Sequence, residues 1–212
     1  MRIPKQIKED NLDGLKKILP AFCFGMGLCE DIAGFGGRYL KGGITETVLV
    51  ENYLCRTYLP ESVKWDREKV ERQLYTGTDG ISDGGWDVEI EDMRIDIKWD
   101  AALRNNEVCL ALFTGYGTPQ LLMKDAATNS VQVYVKYNKL TPVQKHLGCS
   151  ENTLKLMWLD LDKLRADLVK NNGKYSIGDF SESTVGQRGD RVIYLPVEFL
   201  DGRYGRLDTI KA

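Results

Sequence analysis

Two short segments near the middle of the chain alternate apolar and polar residues with a period of two. Residues 86–90 read WDVEI, and residues 94–99 read RIDIKW. In both segments every second side chain is Trp, Val or Ile, and the residues between them are charged. This period is typical of a β-strand that buries one face and exposes the other. We therefore predict two strands that share one buried face.

The two predicted strands form a hairpin if residues 91–92 are its turn. Val88 then lies opposite Ile95, and Asp87 lies opposite Asp96, so that apolar residues meet apolar ones and polar residues meet polar ones. A four-residue loop is an alternative, because Glu-Asp is not a favoured pair for a two-residue turn. A slip of one residue would invert both faces of the hairpin. The pattern therefore fixes the faces more firmly than the register.

Helical and strand-like patterns lie on both sides of the hairpin. The predicted helices are residues 8–19, ended by Pro20, residues 44–59, ended by Pro60, and residues 150–173, ended by Asn-Asn-Gly. The glycine-rich segment 34–43 is predicted to be a flexible loop. Further strands are predicted at residues 107–113, 131–137 and 190–200. This order predicts a mixed α/β sandwich around one central sheet.

The composition fits one folded domain that spans residues 1–212. The chain has 212 residues, of which 42% are apolar, and this is enough for one sizeable core. Charged residues make up 28% and nearly cancel to a net charge of -2, which argues against a polybasic nucleic-acid coat and against an acidic disordered protein. Any functional charge must therefore be local.

The cysteines and the apolar runs indicate a cytoplasmic protein without a membrane span. Five cysteines are an odd number at irregular spacing, and a single histidine gives no usual zinc site. We expect the cysteines to be reduced and mostly buried. The longest apolar run, residues 18–29, is broken by Pro and Gly and is shorter than the roughly 20 residues that a membrane helix needs.

The polar face of the predicted hairpin gathers acids that should repel each other. In the predicted register Asp87 and Asp96 have Cβ atoms about 5 Å apart, where like charges destabilise a sheet. A divalent cation removes that cost, and Mg²⁺ is commonly held by one or two carboxylates with water and a substrate phosphate. Lys98 shares this face and is placed to act on a phosphate. The alternative is a solvated face on which Lys98 only neutralises an aspartate.

Asp87, followed by Asp96-Ile97-Lys98 and preceded by a helix that bears glutamate, resembles the PD-(D/E)XK nuclease superfamily. The resemblance implies a restriction-endonuclease-like fold, an α/β core with a central mixed β-sheet flanked by helices. The matching core covers about residues 42–137. Residues 138–212 would then be an elaboration of helix and strand that contributes to DNA contact.

The resemblance also implies roles for individual residues. Asp87 and Asp96 would bind the metal, and Lys98 would be the catalytic lysine. Glu46 would be the third acid, contributed by the upstream helix, with Glu51 as the rival position.

One departure from the family pattern leaves the first acid open. Trp86 stands where the family has proline, and Asp83 is therefore a rival for Asp87. The implied activity is that of a Mg²⁺-dependent deoxyribonuclease of restriction or mobile-element type, in which a metal-activated water hydrolyses DNA and Mn²⁺ is expected to substitute. The arginines of residues 186–191 and 201–206 would contact phosphate. A homodimer is compatible with this reading.

Two other functional classes remain open from the sequence. A DNA-binding or assembly module with the same fold would not cut, but such a module would gain nothing by keeping two repelling acids. An enzyme of nucleotidyl or phosphoryl transfer could use the aspartate pair. The chain has neither a Walker loop nor a glycine fingerprint for nucleotides, and this counts against the transferase.

Overall fold

The structure is a computed structural model, and it describes residues 1–5, 9–31, 35–65, 85–136 and 152–211. A six-stranded sheet in the order β1-β2-β3-β5-β6-β12 forms its centre. These strands are β1 Val63–Trp65, β2 Val88–Ile90, β3 Met93–Trp99, β5 Asn129–Lys136, β6 Thr153–Asp160 and β12 Gly205–Lys211. The pair β3–β5 is parallel, and the other neighbouring pairs are antiparallel. The prediction of a mixed α/β fold with one central mixed sheet is confirmed.

Two smaller sheets and several short helices complete the described fold. One small sheet has the order β10-β11-β4 and the other has the order β7-β8-β9. Their strands are β4 Glu107–Phe113, β7 Val169–Asn171, β8 Lys174–Ile177, β9 Phe180–Ser181, β10 Ser183–Val185 and β11 Asp190–Pro196. The helices are α1 Glu9–Asp31, α2 Phe35–Leu49, α3 Cys55–Thr57, α4 Leu161–Ala166 and α5 Val197–Leu200, with a π turn at Val50–Leu54 and 3₁₀ turns at Pro60–Ser62 and Ala101–Asn105. The strand predicted at 107–113 is confirmed. The strand predicted at 131–137 is confirmed up to Lys136, and residue 137 lies outside the described residues. The strand predicted at 190–200 is confirmed up to Pro196, whereas Val197–Leu200 is helical.

Two buried clusters cover the two faces of the central sheet. The first cluster lies between the sheet and helices α1 and α2, and includes Leu19, Tyr53 and Ile95. The second cluster lies between the other face and the sheet of β4 and β11, and includes Leu110 and Ile193. Helices α4 and α5 also contribute to this second cluster. Helices thus cover one face, whereas a small sheet with short helices covers the other.

Helix α1 does not end at Pro20, so the predicted stop is wrong. The helix runs through Pro20 to Asp31. Leu19 before the proline and Phe22 and Met26 after it are buried in the first cluster. An interior proline costs a helical hydrogen bond, and we infer that the apolar contacts on both sides of it outweigh that loss.

The predicted loop at residues 34–43 is also wrong where the structure describes it, because residues 35–43 belong to helix α2. Glycine disfavours a helix by only about 1 kcal/mol per residue. The buried residues Thr45 and Leu49 further along the same helix face the core. Local propensity is therefore overruled by packing, and the predicted helix from residue 44 begins earlier, at Phe35.

The predicted helix at residues 150–173 is a strand in its first half. Thr153–Asp160 forms β6, and only Leu161–Ala166 is helical. Strand β6 lies inside the central sheet and is buried on both faces: Leu156 and Trp158 lie in the first cluster, and Met157 lies in the second. A strand of this kind has a continuous apolar run, and such a run also satisfies helical spacing.

The predicted C-terminal elaboration contributes to the central sheet. β6 pairs with β5 along its length, and β12 pairs with β6. The residues predicted as an elaboration of the core therefore supply two strands of the central sheet.

Candidate functional site

The hairpin has the predicted register over its turn and first pairs. Val88 pairs with Ile95, and Ile90 pairs with Met93. Residues 91–92 form the turn, with Glu91 at a positive φ of 56°. The two-residue turn is therefore confirmed.

Strand β3 places its charged residues Asp96 and Lys98 on one face and its apolar residues on the other, as the alternation predicts. Ile95 and Ile97 are buried in the first cluster against the helices. Asp96 and Lys98 alternate with them and therefore point to the other face of the sheet. The side chain of Asp96 is only 7% exposed, whereas that of Lys98 is 53% exposed. The lysine thus lies at the rim of the site and the aspartate lies beneath it.

Asp96 is a buried acid with one satisfied oxygen. Its Oδ1 lies 3.0 Å from the Lys98 ammonium nitrogen. Its Oδ2 is buried and, within the part of the chain that the structure describes, has no hydrogen-bond partner. Buried polar atoms are almost always hydrogen-bonded, and an exception calls for a water, an ion or a functional reason. Asp96 Oδ2 is such an exception on a central strand.

Asp87 approaches β3 through its side chain. The ladder of β2 ends at Val88, and Asp87 lies in a bend just before it. Its backbone N–H donates to the Ile95 carbonyl at 2.9 Å. Its carboxylate accepts the Ile97 N–H at 2.6 Å. The acid therefore lies against the backbone of Asp96, although not as the ladder pair that was predicted.

Continued by one more pair, the register predicted for the hairpin would place Trp86 opposite Ile97, and this pair is not formed. Trp86 packs against the second cluster, whereas Ile97 belongs to the first. Gly85 has a φ of 90°, a conformation that L side chains rarely adopt. The chain therefore leaves the plane of the hairpin before Asp87, and the two strands diverge at the acids.

Glu46 is buried on helix α2 and reaches the same end of the sheet. Its Oε1 accepts the indole N–H of Trp65 at 2.8 Å. Trp65 ends β1 and pairs with Val88, the residue that follows Asp87. On the same helix the Lys41 ammonium lies 5.4 Å from the ring of Trp99 at the end of β3. Helix α2 therefore crosses the sheet where β1 and β3 end and β2 begins.

The rival acids have different positions. Glu51 is exposed in the π turn, five residues beyond Glu46 along the helix. Asp83 lies outside the described residues. Among the described acids Glu46 is therefore the better candidate for the helix position, and Asp87 keeps its place as the first acid of the proposal.

Two buried polar residues on β5 lie beside Asp96 and Lys98, and neither was predicted from the sequence as a site residue. The parallel register puts Ser130 beside Asp96 and Gln132 beside Lys98. Ser130 is 0% exposed and Gln132 is 1% exposed. The sequence signal was two polar residues at alternate positions of an otherwise apolar strand.

Asp100 is a further buried acid near the end of β3, and its role is structural. Its two carboxylate oxygens accept the N–H groups of Ala102 and Cys109, both at 2.8 Å. Burial raises the pKa of Asp100 to about 6, and the two N–H groups oppose that rise. Burial also raises the pKa of the Cys109 thiol, and the charge of the nearby Asp100 carboxylate adds to this rise.

The raised pKa of Asp100 predicts a pH-dependent stability. Its folded-state pKa lies above the ordinary aspartate value of 3.8, so the folded chain binds the proton more tightly than the unfolded chain. This contribution to stability is therefore present below pH 4 and is lost as pH rises through about 6. From the shift we expect on the order of 3 kcal/mol. Urea unfolding of wild type and of Asp100→Asn across this range measures it. A difference between them that stays constant with pH contradicts the assignment.

The described cysteines fit the expectation of reduced residues. Cys23, Cys55 and Cys109 are free thiols. Burial raises the pKa of Cys23 to about 12 and also raises that of Cys55. A reactive cysteine needs a lowered pKa, so none of these three is placed for nucleophilic chemistry.

Three of the four arginines that were expected to contact phosphate have partners within the fold. The Arg191 guanidinium pairs with Glu182 at 2.7 Å. The Arg206 guanidinium pairs with Asp208 at 3.0 Å. Arg203 lies 4.9 Å from the ring of Tyr204. These contacts stabilise the C-terminal strands, so we leave the three arginines out of the proposed DNA surface.

The described residues contain no group of three or more His, Cys, Asp or Glu side chains placed to hold a metal ion. The structure brings Asp87 and Asp96 together, because the Asp87 carboxylate accepts the Ile97 N–H next to Asp96. Glu46 lies on helix α2 and bonds to Trp65, on the face of the sheet opposite to the Asp96 side chain. Within the described ranges, no helix has the length and apolar character to cross a membrane.

Comparisons with family models, with curated proteins and with solved structures gave no match to this chain.

Proposed function

We propose that this protein is a metal-dependent endonuclease that hydrolyses DNA phosphodiester bonds on a restriction-endonuclease-like fold. The observation that carries the proposal is the Asp96–Lys98 pair. One carboxylate oxygen is buried without a partner, and the other lies 3.0 Å from a lysine that is half exposed. A solvated face that only balances charge does not need a buried acid.

The acids fit a hard divalent cation. The unpartnered Oδ2 of Asp96 is the oxygen that a cation would satisfy. Asp87 and Asp96 would hold Mg²⁺ or Mn²⁺, and Glu46 is left out of the proposed ligands because helix α2 covers the face of the sheet opposite to the Asp96 side chain. When bound, the metal would activate water and stabilise charge on the phosphate. Mg²⁺ usually keeps several waters, so a site with few protein ligands is in keeping with this ion.

The chain's own residues supply the remaining parts of the chemistry. Lys98 stands at the rim on strand β3, where its ammonium group can meet a phosphate or exchange a proton with water. This positive side chain beside the acids offers a phosphate backbone a local attraction, although the net charge of the chain is -2.

The proposal is tested by incubating supercoiled plasmid with the protein in Mg²⁺, in Mn²⁺ and in EDTA. We expect nicked or linear DNA with either metal and none in EDTA. Asp96→Asn should abolish cleavage and the rise in melting temperature that Mg²⁺ gives to wild type, because a ligand that binds only the folded state stabilises it. Asp179→Asn removes an exposed acid far along the chain and should change neither result.

The competing function is a DNA-binding or assembly module that does not cut. It predicts that wild type leaves duplex, branched and single-stranded DNA intact with either metal. That outcome, with binding to DNA retained, would replace the nuclease with the module.

A further inference from the structure

The peptide group between Asp96 and Ile97 is held from both sides by polar side chains. Its carbonyl accepts the Ser130 hydroxyl at 2.9 Å. Its N–H donates to the Asp87 carboxylate at 2.6 Å. The Ser130 oxygen in turn accepts the side-chain amide of Gln132 at 2.7 Å. One continuous series of hydrogen bonds therefore runs from Gln132 through Ser130 and this peptide to Asp87.

All donors in this series point the same way. A hydroxyl has one hydrogen, and Ser130 donates it to the Asp96 carbonyl, so the Ser130 oxygen is the acceptor in its bond with the Gln132 amide. The series ends on a carboxylate, and a bond from an N–H to an ionised oxygen is stronger than a neutral one. Hydrogen bonds in such a chain polarise and strengthen one another. The Ile97 N–H, which donates to the Asp87 carboxylate, is therefore a better hydrogen-bond donor than an ordinary backbone N–H.

We propose that Ser130 and Gln132 are positioning residues that hold Asp87 and Asp96 in the geometry for binding a divalent cation. The inference rests on the proposed function of the site. Neither residue is exposed, so neither can touch substrate. They act through the peptide of Asp96: fixing its plane fixes the direction of the Asp96 side chain and the place of the Asp87 carboxylate.

The surroundings support a positional role for these two residues. Ser130 and Gln132 lie opposite Leu159 and Met157 across the β5–β6 pair. Both of these partners are fully buried apolar residues. At such a buried position a hydroxyl or amide adds little more to the stability of the fold than an apolar side chain does, because it must first lose its hydration. The polar pair lies beside the strand that carries Asp96 and Lys98.

Removal of the Ser130 hydroxyl tests the proposal in two ways. In Ser130→Ala the Ile97 amide proton resonance should move upfield in the metal-free protein, because its bond to Asp87 weakens. The Mn²⁺ concentration at half of the full thermal stabilisation should rise about tenfold or more, the usual cost of losing a residue that orients a ligand. Gln132→Met, which keeps the length and removes the donor, should change both quantities in the same direction.

Two further variants separate position from stability. Ser130→Thr keeps the hydroxyl and should restore both readouts. Val131→Ala removes a buried apolar side chain from the opposite face of the same strand. It should lower the melting temperature but leave the Mn²⁺ midpoint and the Ile97 resonance near wild type.

The outcomes separate this inference from the proposed function. If wild type cuts DNA and Ser130→Ala matches it in Mn²⁺ midpoint and Ile97 resonance, the inference is overturned and the nuclease stands. If Ser130→Thr fails to restore the readouts, the hydroxyl is not their cause and the inference is again overturned. If wild type shows neither a response to Mn²⁺ nor cleavage, the proposed function fails, and the inference fails with it.

Discussion

Lys98→Ala is expected to lower single-turnover DNA cleavage by at least about 100-fold, the usual order for the loss of an acid-base group. The ammonium group lies 3.0 Å from the buried Asp96 carboxylate and reaches the rim of the site. Its neighbours in β3 are directed to the opposite face, so the strand fixes its direction. DNA affinity measured in Ca²⁺ should change little, because the effect belongs to the chemical step.

Two substitutions make this prediction specific. Lys98→Arg should not restore cleavage, because a guanidinium does not release its proton near neutral pH. Lys64→Ala removes the partner of Glu89 at the edge of the same sheet, and such exposed pairs contribute about 1 kcal/mol or less. It should cleave at nearly the wild-type rate. Cleavage by Lys98→Ala at the full rate would make Lys98 only the counter-charge of Asp96.

Gly205→Ala is expected to destabilise the fold by about 3 kcal/mol or more, the cost of a core overlap that cannot relax. Gly205 begins β12 and pairs with Leu159. A Cβ at this position would overlap the Trp158 carbonyl and meet the Met157 methyl group at 2.9 Å. The clash is with backbone, so a change of side-chain rotamer does not relieve it. The midpoint of urea unfolding measures the loss.

The control for Gly205 is Gly42 in helix α2. A Cβ on Gly42 would meet no atom within 4 Å. Alanine in a helix interior is more stable than glycine by about 0.5–1 kcal/mol. Gly42→Ala should therefore raise the midpoint. An equal response of the two variants would show that the contact with Trp158 does not determine the effect.

The hairpin was predictable because each strand has one apolar and one polar face. That asymmetry leaves a period of two in the sequence, and a two-residue turn then sets the register. The departure at Asp87 was not predictable, because the Ile97 N–H can be satisfied equally well by a ladder partner or by a carboxylate. Only the folded chain shows which of these it uses.

The hydrophobic pattern gave a wrong secondary structure where a strand is buried on both faces of the sheet. Strand β6 has no polar face, and its apolar run therefore matched a helix. Ser130 and Gln132 were missed for a related reason: their importance depends on the parallel pairing of β3 with β5, which joins residues far apart in sequence. A local pattern carries no information about that pairing.

The order of strands in the central sheet has a consequence for synthesis of the chain. A nascent chain that has emerged as far as Lys136 already contains Asp87, Asp96 and the β3–β5 pair. The edge of β5 that pairs with β6 is unpaired until β6 has been synthesised. The other edge of β6 is then unpaired until β12 has been synthesised. Open strand edges pair readily with other chains. During translation the acids are therefore in place well before the sheet that carries them is protected from association.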